Sequence, residues 1–153
     1  MQTQNLNVTV AGILYAGFDF VKLPIDAARE VAATQVDQAA DLARAAIVND
    51  PLRAMEHQRA ADEARTFAQG GYVGDMPPYV KAWADAASLE PQAAADSIIA
   101  EANSWDQALL AIRTTRLKGK QDVLKADSHA AVEAIADETM AEIKACIQGI
   151  GAA

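Results

Sequence analysis

Hydrophobic and polar positions change period once along this chain, near residue 24. Before it, apolar residues form short β-forming runs: Val8-Thr9-Val10 and Ile13-Leu14-Tyr15 flank Ala11-Gly12, and Gly17-Phe18-Asp19-Phe20 follows. Branched and aromatic residues on either side of a glycine-containing turn predict a short hairpin or extended arm. A lone two-stranded hairpin is marginal in water, so this arm is expected to lie on the rest of the chain or to add to a sheet on another chain. It is a candidate attachment element.

From there on the apolar period is helical. Pro24 stands where a first helical position belongs, and Ile25, Ala28, Ala32, Val36, Ala39, Ala43 and Ala46 recur at steps of three and four. The spacing predicts a helix from Ile25 to about Val48, about 36 Å long at 1.5 Å per residue, with an alanine seam suited to close packing. Asn49-Asp50-Pro51 ends it, since Asp50 can cap free amides and Pro51 is tolerated only in a first helical turn. A second helix is predicted from Pro51 to about Gln69, closed by Gly70-Gly71 as a left-handed C-cap. The stretch Gly71-Tyr72-Val73-Gly74-Asp75-Met76-Pro77-Pro78 is the clearest loop. A short helix from Pro78 to Ala87 then carries Tyr79, Val80 and Trp83 on one side, and after a Ser88-Leu89-Glu90 turn Pro91 opens another.

The most regular pattern is Ile98, Ala102, Trp105, Leu109, Ile112, Arg116, Gly119 and Val123, a heptad seam with defects at Arg116 and Gly119. Such a seam serves a helical hairpin within one chain as well as a coiled coil between chains. Asp127-Ser128 offers a cap for a last helix with Val132, Ile135, Thr139, Ile143 and Ile147 on one face, ending at Gly149 and Gly151. Helices 98–125 and 128–148 are expected to pair antiparallel. The fold class expected is therefore all-α: a bundle of about five helices with long helical hairpins and a short N-terminal β-hairpin or extended arm. Along the chain this divides into an arm (1–24), an Ala-rich helical hairpin or long helix (25–70) and a C-terminal helical domain (71–153). No internal repeat and no low-complexity tract beyond alanine enrichment interrupts it.

Composition narrows the partners. Of the 153 residues 52% are hydrophobic but only 5% aromatic, so buried surface has to come from many small contacts. A formal charge of −8 disfavours nucleic acid, whose affinity comes chiefly from lysine and arginine displacing counterions. One cysteine, Cys146, forms no intrachain disulfide, and the chain lacks the thiols and histidines of a zinc cluster. The start Met1-Gln2-Thr3-Gln4-Asn5 does not resemble a signal peptide, and no apolar run reaches membrane-spanning length. A soluble, cytoplasmically made protein without membrane association is expected.

Candidate chemistry is sparse. His57 and His129 read as ordinary surface residues without a carboxylate or cysteine constellation. Gly70-Gly71-Tyr72-Val73-Gly74 lacks the lysine and hydroxyl of a phosphate-binding loop. The carboxylates are dispersed, and Cys146 in an apolar stretch reads as a small buried hydrophobe. No catalytic, cofactor-binding or metal-ligating residue is assigned, and no enzymatic activity is expected. The local exception is Arg113, Arg116, Lys118 and Lys120, a basic patch with no acid between them. It is either a solvated helix face or a docking point for acidic surface, and Arg116 within the seam suggests a buried or interfacial ion pair. Trp83 and Trp105 pose a similar choice between core and interface.

The segment from Gly70 to Lys120 resembles short proteins encoded beside tail-fibre genes in tailed bacteriophages and prophages. The matching elements are Gly71-Tyr72-Val73-Gly74-Asp75-Met76-Pro77, Val80, Trp83-Ala84-Asp85, Ala93-Ala94-Ala95-Asp96 with Ile98-Ile99, Trp105, and Ile112-Arg113 leading to Arg116-Leu117. The opening from Val8-Thr9-Val10-Ala11-Gly12 to Tyr15-Ala16-Gly17-Phe18-Asp19-Phe20 is similar to the start of such proteins. These elements cover a third to a half of the chain, and residues after about Lys120 match less clearly. The resemblance implies a virion tail or tail-fibre accessory structural protein, made in the host cytoplasm and packing against other tail or fibre proteins as a homo-oligomer, a trimer being one form. It equally allows a fibre-assembly chaperone absent from the mature particle; a small host-directed regulator or enzyme is the further alternative. Interface candidates are Val8, Val10, Tyr15, Phe18, Phe20, Trp83, Trp105, Arg113 and Arg116.

Overall fold

The computed structural model describes residues 1–48 and 50–148. Among them are one antiparallel hairpin, β1 (Leu6–Val10) with β2 (Ile13–Phe18), and five α-helices: α1 (Ile25–Val48), α2 (Pro51–Gln69), α3 (Pro78–Ala87), α4 (Pro91–Lys125) and α5 (His129–Ala145). This is the expected all-α bundle with a short N-terminal β-hairpin. The two-residue loop Ala11-Gly12 has φ of 49° and 80°, the doubly left-handed geometry that matches the twist of paired strands. Gly12 adopts it freely, whereas Ala11 does so against its Cβ.

Most predicted helix boundaries hold closely, for local reasons, although α5 ends at Ala145 rather than near residue 148 and leaves Ile147 beyond it. Asp50 caps α2 by accepting from Leu52 N at 2.8 Å, and Pro51 occupies its first turn. Gly71 takes φ +71° just after α2, as a left-handed C-cap requires. Ser128 caps α5 by accepting from Ala131 N. Pro24 accepts the first bond of α1, from Ala28 N at 2.9 Å, and so stands one place before the helix rather than inside it. The helix opened by Pro91 and the seam from Ile98 to Val123 are one continuous element of 35 residues. Asn49, Gly149 and Gly151 lie outside the described residues.

The chain groups into two compact units, one of Met1–Ala46 with the chain from Leu109 on, the other Ile47–Ala108. This differs from the linear division 1–24, 25–70 and 71–153, because glycines and prolines mark where elements end while packing decides what groups together. In the first unit, Asp37 of α1 bonds Arg116 and Lys120 of α4, and Arg29 Nε donates to the Ala126 carbonyl at 2.8 Å, so α1 and α4 run in opposite directions. Gly119 meets Thr139, and the short link after Lys125 turns α5 back along α4. The result is three antiparallel helices around Val36, Ile112, Val123, Val132 and Ile143, all buried. The alanine seam of α1 drifts from the simple spacing: Ala40 and Ile47 are buried where the pattern put Ala39 and Ala46.

In the second unit α2, α3 and the first part of α4 enclose Ala64, Phe67, Val80, Ala84, Ala94 and Ala95, with Tyr72, Met76, Ile98 and Ile99 packed against them. The N-cap of α3 is Pro77, which has no side-chain acceptor, and Glu63 of α2 fills the gap by accepting from Tyr79 N at 2.8 Å. The Tyr72 hydroxyl donates to Asp96 at 2.6 Å, and the Trp83 indole donates to Ser97 Oγ at 2.9 Å. Asp96, as acceptor to that hydroxyl, holds the phenol above its ordinary pKa. The loop from Gly71 is thereby tied to α4.

Both seam defects now have causes. A Cβ on Gly119 would collide with the Thr139 side chain, lying 2.8 Å from its Cβ and closer still to Oγ1 and Cγ2. Glycine there sets the approach of α4 and α5, and the buried Thr139 hydroxyl is satisfied by donating to the Ile135 carbonyl at 2.7 Å. Gly119→Ala is expected to destabilise the protein by about 1–3 kcal/mol through overpacking. Adding Thr139→Ala should recover part of that loss. Urea denaturation of the two single variants and the double variant checks the coupling; strictly additive losses would contradict it.

Candidate functional site

The N-terminal hairpin carries most of the candidates. Leu6 is buried and Val8 and Val10 are half-buried, while Asn7 and Thr9 between them are exposed, so β1 turns its apolar face to its own unit. Val8 pairs across the hairpin with Tyr15, whose ring meets Phe18 edge-to-face at 5.5 Å. Phe18 stays exposed. Phe20, placed with the interface candidates, is instead fully buried: its backbone N–H donates to the Thr3 carbonyl at 2.7 Å and its ring meets the edge of His129. A phenylalanine with no accessible surface anchors the hairpin to the bundle and is withdrawn from any docking surface.

A groove of about 480 Å³ runs beside the hairpin. It is lined by every residue of β1 from Leu6 to Val10, by none of β2, and by Glu30, Val31, Thr34, Gln35 and Gln38 of α1. Consecutive strand residues of both faces line it together, so it follows the strand's free edge. In a two-stranded sheet that edge leaves half of the backbone groups of β1 unpaired. Beside it, Gln35 holds the Gln2 main chain through both ends of its amide: Oε1 accepts from Gln2 N at 2.7 Å and Nε2 donates to the Gln2 carbonyl at 3.0 Å. This part of α1 therefore already binds main chain in the manner of a neighbouring strand.

The remaining candidates separate. Trp83 is exposed over much of its ring, although its indole N–H is used by Ser97. Trp105 is half-buried with its ring on His57 at 4.6 Å, and its buried indole nitrogen has no hydrogen-bond partner among the described residues. Arg113 is exposed. Arg116 is half-buried and donates from Nη1 to Asp37 at 2.8 Å; Lys120 bonds the other oxygen of the same carboxylate. Two of the four cations of the basic patch are thus engaged inside the chain. Burial presses the Asp37 carboxyl toward the neutral form, but hydrogen bonds and charge from Lys120 and Arg116 outweigh it and hold the pKa below its ordinary value.

His129 is no ordinary surface residue. Its Nε2 lies 2.8 Å from the Leu23 carbonyl, a geometry in which the ring donates, and the ring packs edge-to-face with Phe20 at 5.8 Å. His57 is exposed, as expected. Cys146 is half-buried at the C-cap of α5, its thiol donating to the Glu142 carbonyl, rather than buried in an apolar stretch. Among the described residues no group of three His, Cys, Asp or Glu side chains is arranged to hold a metal ion, and no helix is long and apolar enough to cross a membrane.

Sequence reasoning missed Ile13 and Leu14 as surface groups, the most exposed apolar side chains of the hairpin at 57% and 68%. They adjoin the turn and project on opposite faces, so strand alternation assigns one of them inward. It also missed Asp37, one of several dispersed carboxylates until α1 and α4 are laid side by side. No protein-family model, curated protein or solved structure matches this chain.

Asp37 has a folded-state pKa below its unfolded one, so in the window between the two the unfolded chain binds the extra proton. Its stabilisation is expected to be fully present above the unfolded carboxylate pKa of about 4 and to fade as pH falls through the folded value. Asp37→Asn should cost about 1–2 kcal/mol near neutral pH by removing charge-assisted hydrogen bonds. The gap from the parent protein should narrow below about pH 4. Denaturant titrations of both proteins across pH check this; a gap independent of pH would contradict it.

Proposed function

We propose that this chain is a structural accessory protein of a bacteriophage tail or tail fibre, acting by packing against other protein chains and without catalysis. The observation that supports binding most directly is the N-terminal hairpin, which pairs an open β1 edge and a polar groove with the exposed side chains of Ile13, Leu14 and Phe18. An extended segment of a neighbouring protein entering that groove would complete the β1 ladder by main-chain hydrogen bonds, with Gln38 offering an amide from the other wall. The tail assignment itself rests on the sequence resemblance. Much of its motif has a packing role, since Tyr72, Met76, Val80, Ala84, Ala94, Ala95, Ile98 and Ile99 meet in one core. A motif made of packing residues suits a protein whose task is to present surfaces.

Quantitative mass spectrometry of purified particles tests the proposal. A fixed ratio of this chain to the tail and fibre proteins is the expected result. A chain carrying Ile13→Asp and Leu14→Asp should keep its stability within about 0.5 kcal/mol, as both sites are exposed, and should be depleted from particles. Absence of the parent chain from particles, with recovery on unassembled fibre, would replace this proposal by the assembly-chaperone reading. Absence from both would end the tail assignment.

A further inference from the structure

Helix α4 carries a second apolar line, on the side opposite its buried one. Leu110, Leu117 and Leu124 are 63%, 44% and 41% exposed and recur every seven residues, so they form one ridge along the helix. Ile112 and Gly119, which face the three-helix core, lie about half a helical turn away, and the buried Val123 about a third of a turn. With the leucines at the d positions of a heptad, the a positions are Thr114 and Gln121, the e positions Ala111, Lys118 and Lys125, and the g positions Arg113 and Lys120. Between Leu110 and Lys125 every charged e or g position is thus a cation, and the aspartates of the same register, Asp106 and Asp127, fall outside the ridge. Lys120 is taken by Asp37, but among the described residues no carboxylate lies within ion-pairing distance of Arg113, Lys118 or Lys125, and all three are exposed.

Charges at e and g decide which helix a coiled-coil face accepts, because they meet the partner's flanking charges across the seam. A second copy of this face, in either direction, would set cations against cations. A lipid surface prefers an apolar arc about 100° wide or more, whereas this ridge is one leucine wide and interrupted by Thr114 and Gln121. We propose that the ridge Leu110–Leu117–Leu124 is a heterotypic coiled-coil docking surface for an amphipathic helix of another protein that carries glutamate or aspartate beside its apolar seam. Thr114 and Gln121 would favour one register, as polar a positions do. This surface is independent of the tail assignment and of the hairpin groove.

The test uses the full chain and a fluorescein-labelled synthetic helix of about three heptads, with leucine at a and d and glutamate at e and g. A twin peptide carries lysine at e and g. Because two of the five seam positions are polar, anisotropy titration should give binding in the micromolar to millimolar range, with the acidic peptide preferred at least about tenfold. That preference should shrink as salt rises from about 0.1 M to about 1 M. Replacing Arg113, Lys118 and Lys125 together by glutamate should exchange the preference, and Leu117→Asp should abolish binding of either peptide. All four are surface positions, and an unchanged melting curve verifies the fold. Equal binding of the two peptides, or none, overturns the proposal. So does a concentration-dependent dimer that Leu117→Asp dissolves, which would assign the ridge to a second copy. Leu117-dependent binding to vesicles of about one-third anionic lipid, without peptide binding, would assign it to a lipid surface and likewise overturn it.

Discussion

The distance between α4 and α5 at Gly119 is the constraint on which the three-helix unit depends. Apart from Phe20, Leu6 and Leu23 near the hairpin, its core is filled mostly by alanine, valine and isoleucine, and short side chains reach each other only if the helix backbones come close. At Gly119 a Cβ would run into the Thr139 side chain and hold α4 off it. The buried threonine is tolerated because it bonds back to its own helix. Ile112 and Val123 of α4 and Val132 and Ile143 of α5, on either side of that point, are all buried. A close-packed interior transmits such a restriction, since a methyl group's worth of displacement there cannot be absorbed by rearranging long side chains.

The second fixed point is Asp37. Alanine seams pack closely but specify register weakly, because neighbouring alanines offer nearly equivalent surfaces. A half-buried carboxylate held by Arg116 and Lys120, one turn apart on α4, picks out one axial position for α1 against α4. Arg29 on the Ala126 carbonyl does the same eight residues earlier in α1. The second unit solves a different problem, that of a short α3 starting at Pro77 without a cap. There Glu63 reaches across from α2, so a tertiary contact does what local sequence does for α2 and α5.

Much of this architecture was legible in the chain. Helix ends follow from Asp50-Pro51, Gly71 and Ser128 because capping is local chemistry, and the hairpin follows from two β-forming runs around Ala11-Gly12. What was not legible required a neighbour. Gly119 and Arg116 looked like faults in a heptad seam until Thr139 and Asp37 supplied their partners, and His129 looked unremarkable until Leu23 and Phe20 met it. Phe20 illustrates the reverse error: its place in an exposed arm suggested an interface, but a single turn of 3-10 helix over Phe20–Lys22 folds it under the bundle. Among the candidate interface residues, Phe18, Trp83 and Arg113 retain surface for a partner, while Arg116 serves the fold.

Magnitudes indicate how those surfaces can work. Completing the burial of three partly exposed leucines contributes on the order of 2–4 kcal/mol. Association consumes an estimated 4–15 kcal/mol in lost freedom, so a leucine ridge of this length alone confers selectivity more than affinity. Main-chain bonds along β1 add a few further contributions of about 1 kcal/mol each, and they read little sequence. The two surfaces are therefore complementary in kind. As proposed, the strand edge would accept an extended segment of almost any composition that fits a polar groove, and the basic ridge only a helix with acidic flanks. A partner presenting both would gain the effective-concentration advantage of a tethered second contact, turning two weak sites into one firm and selective attachment.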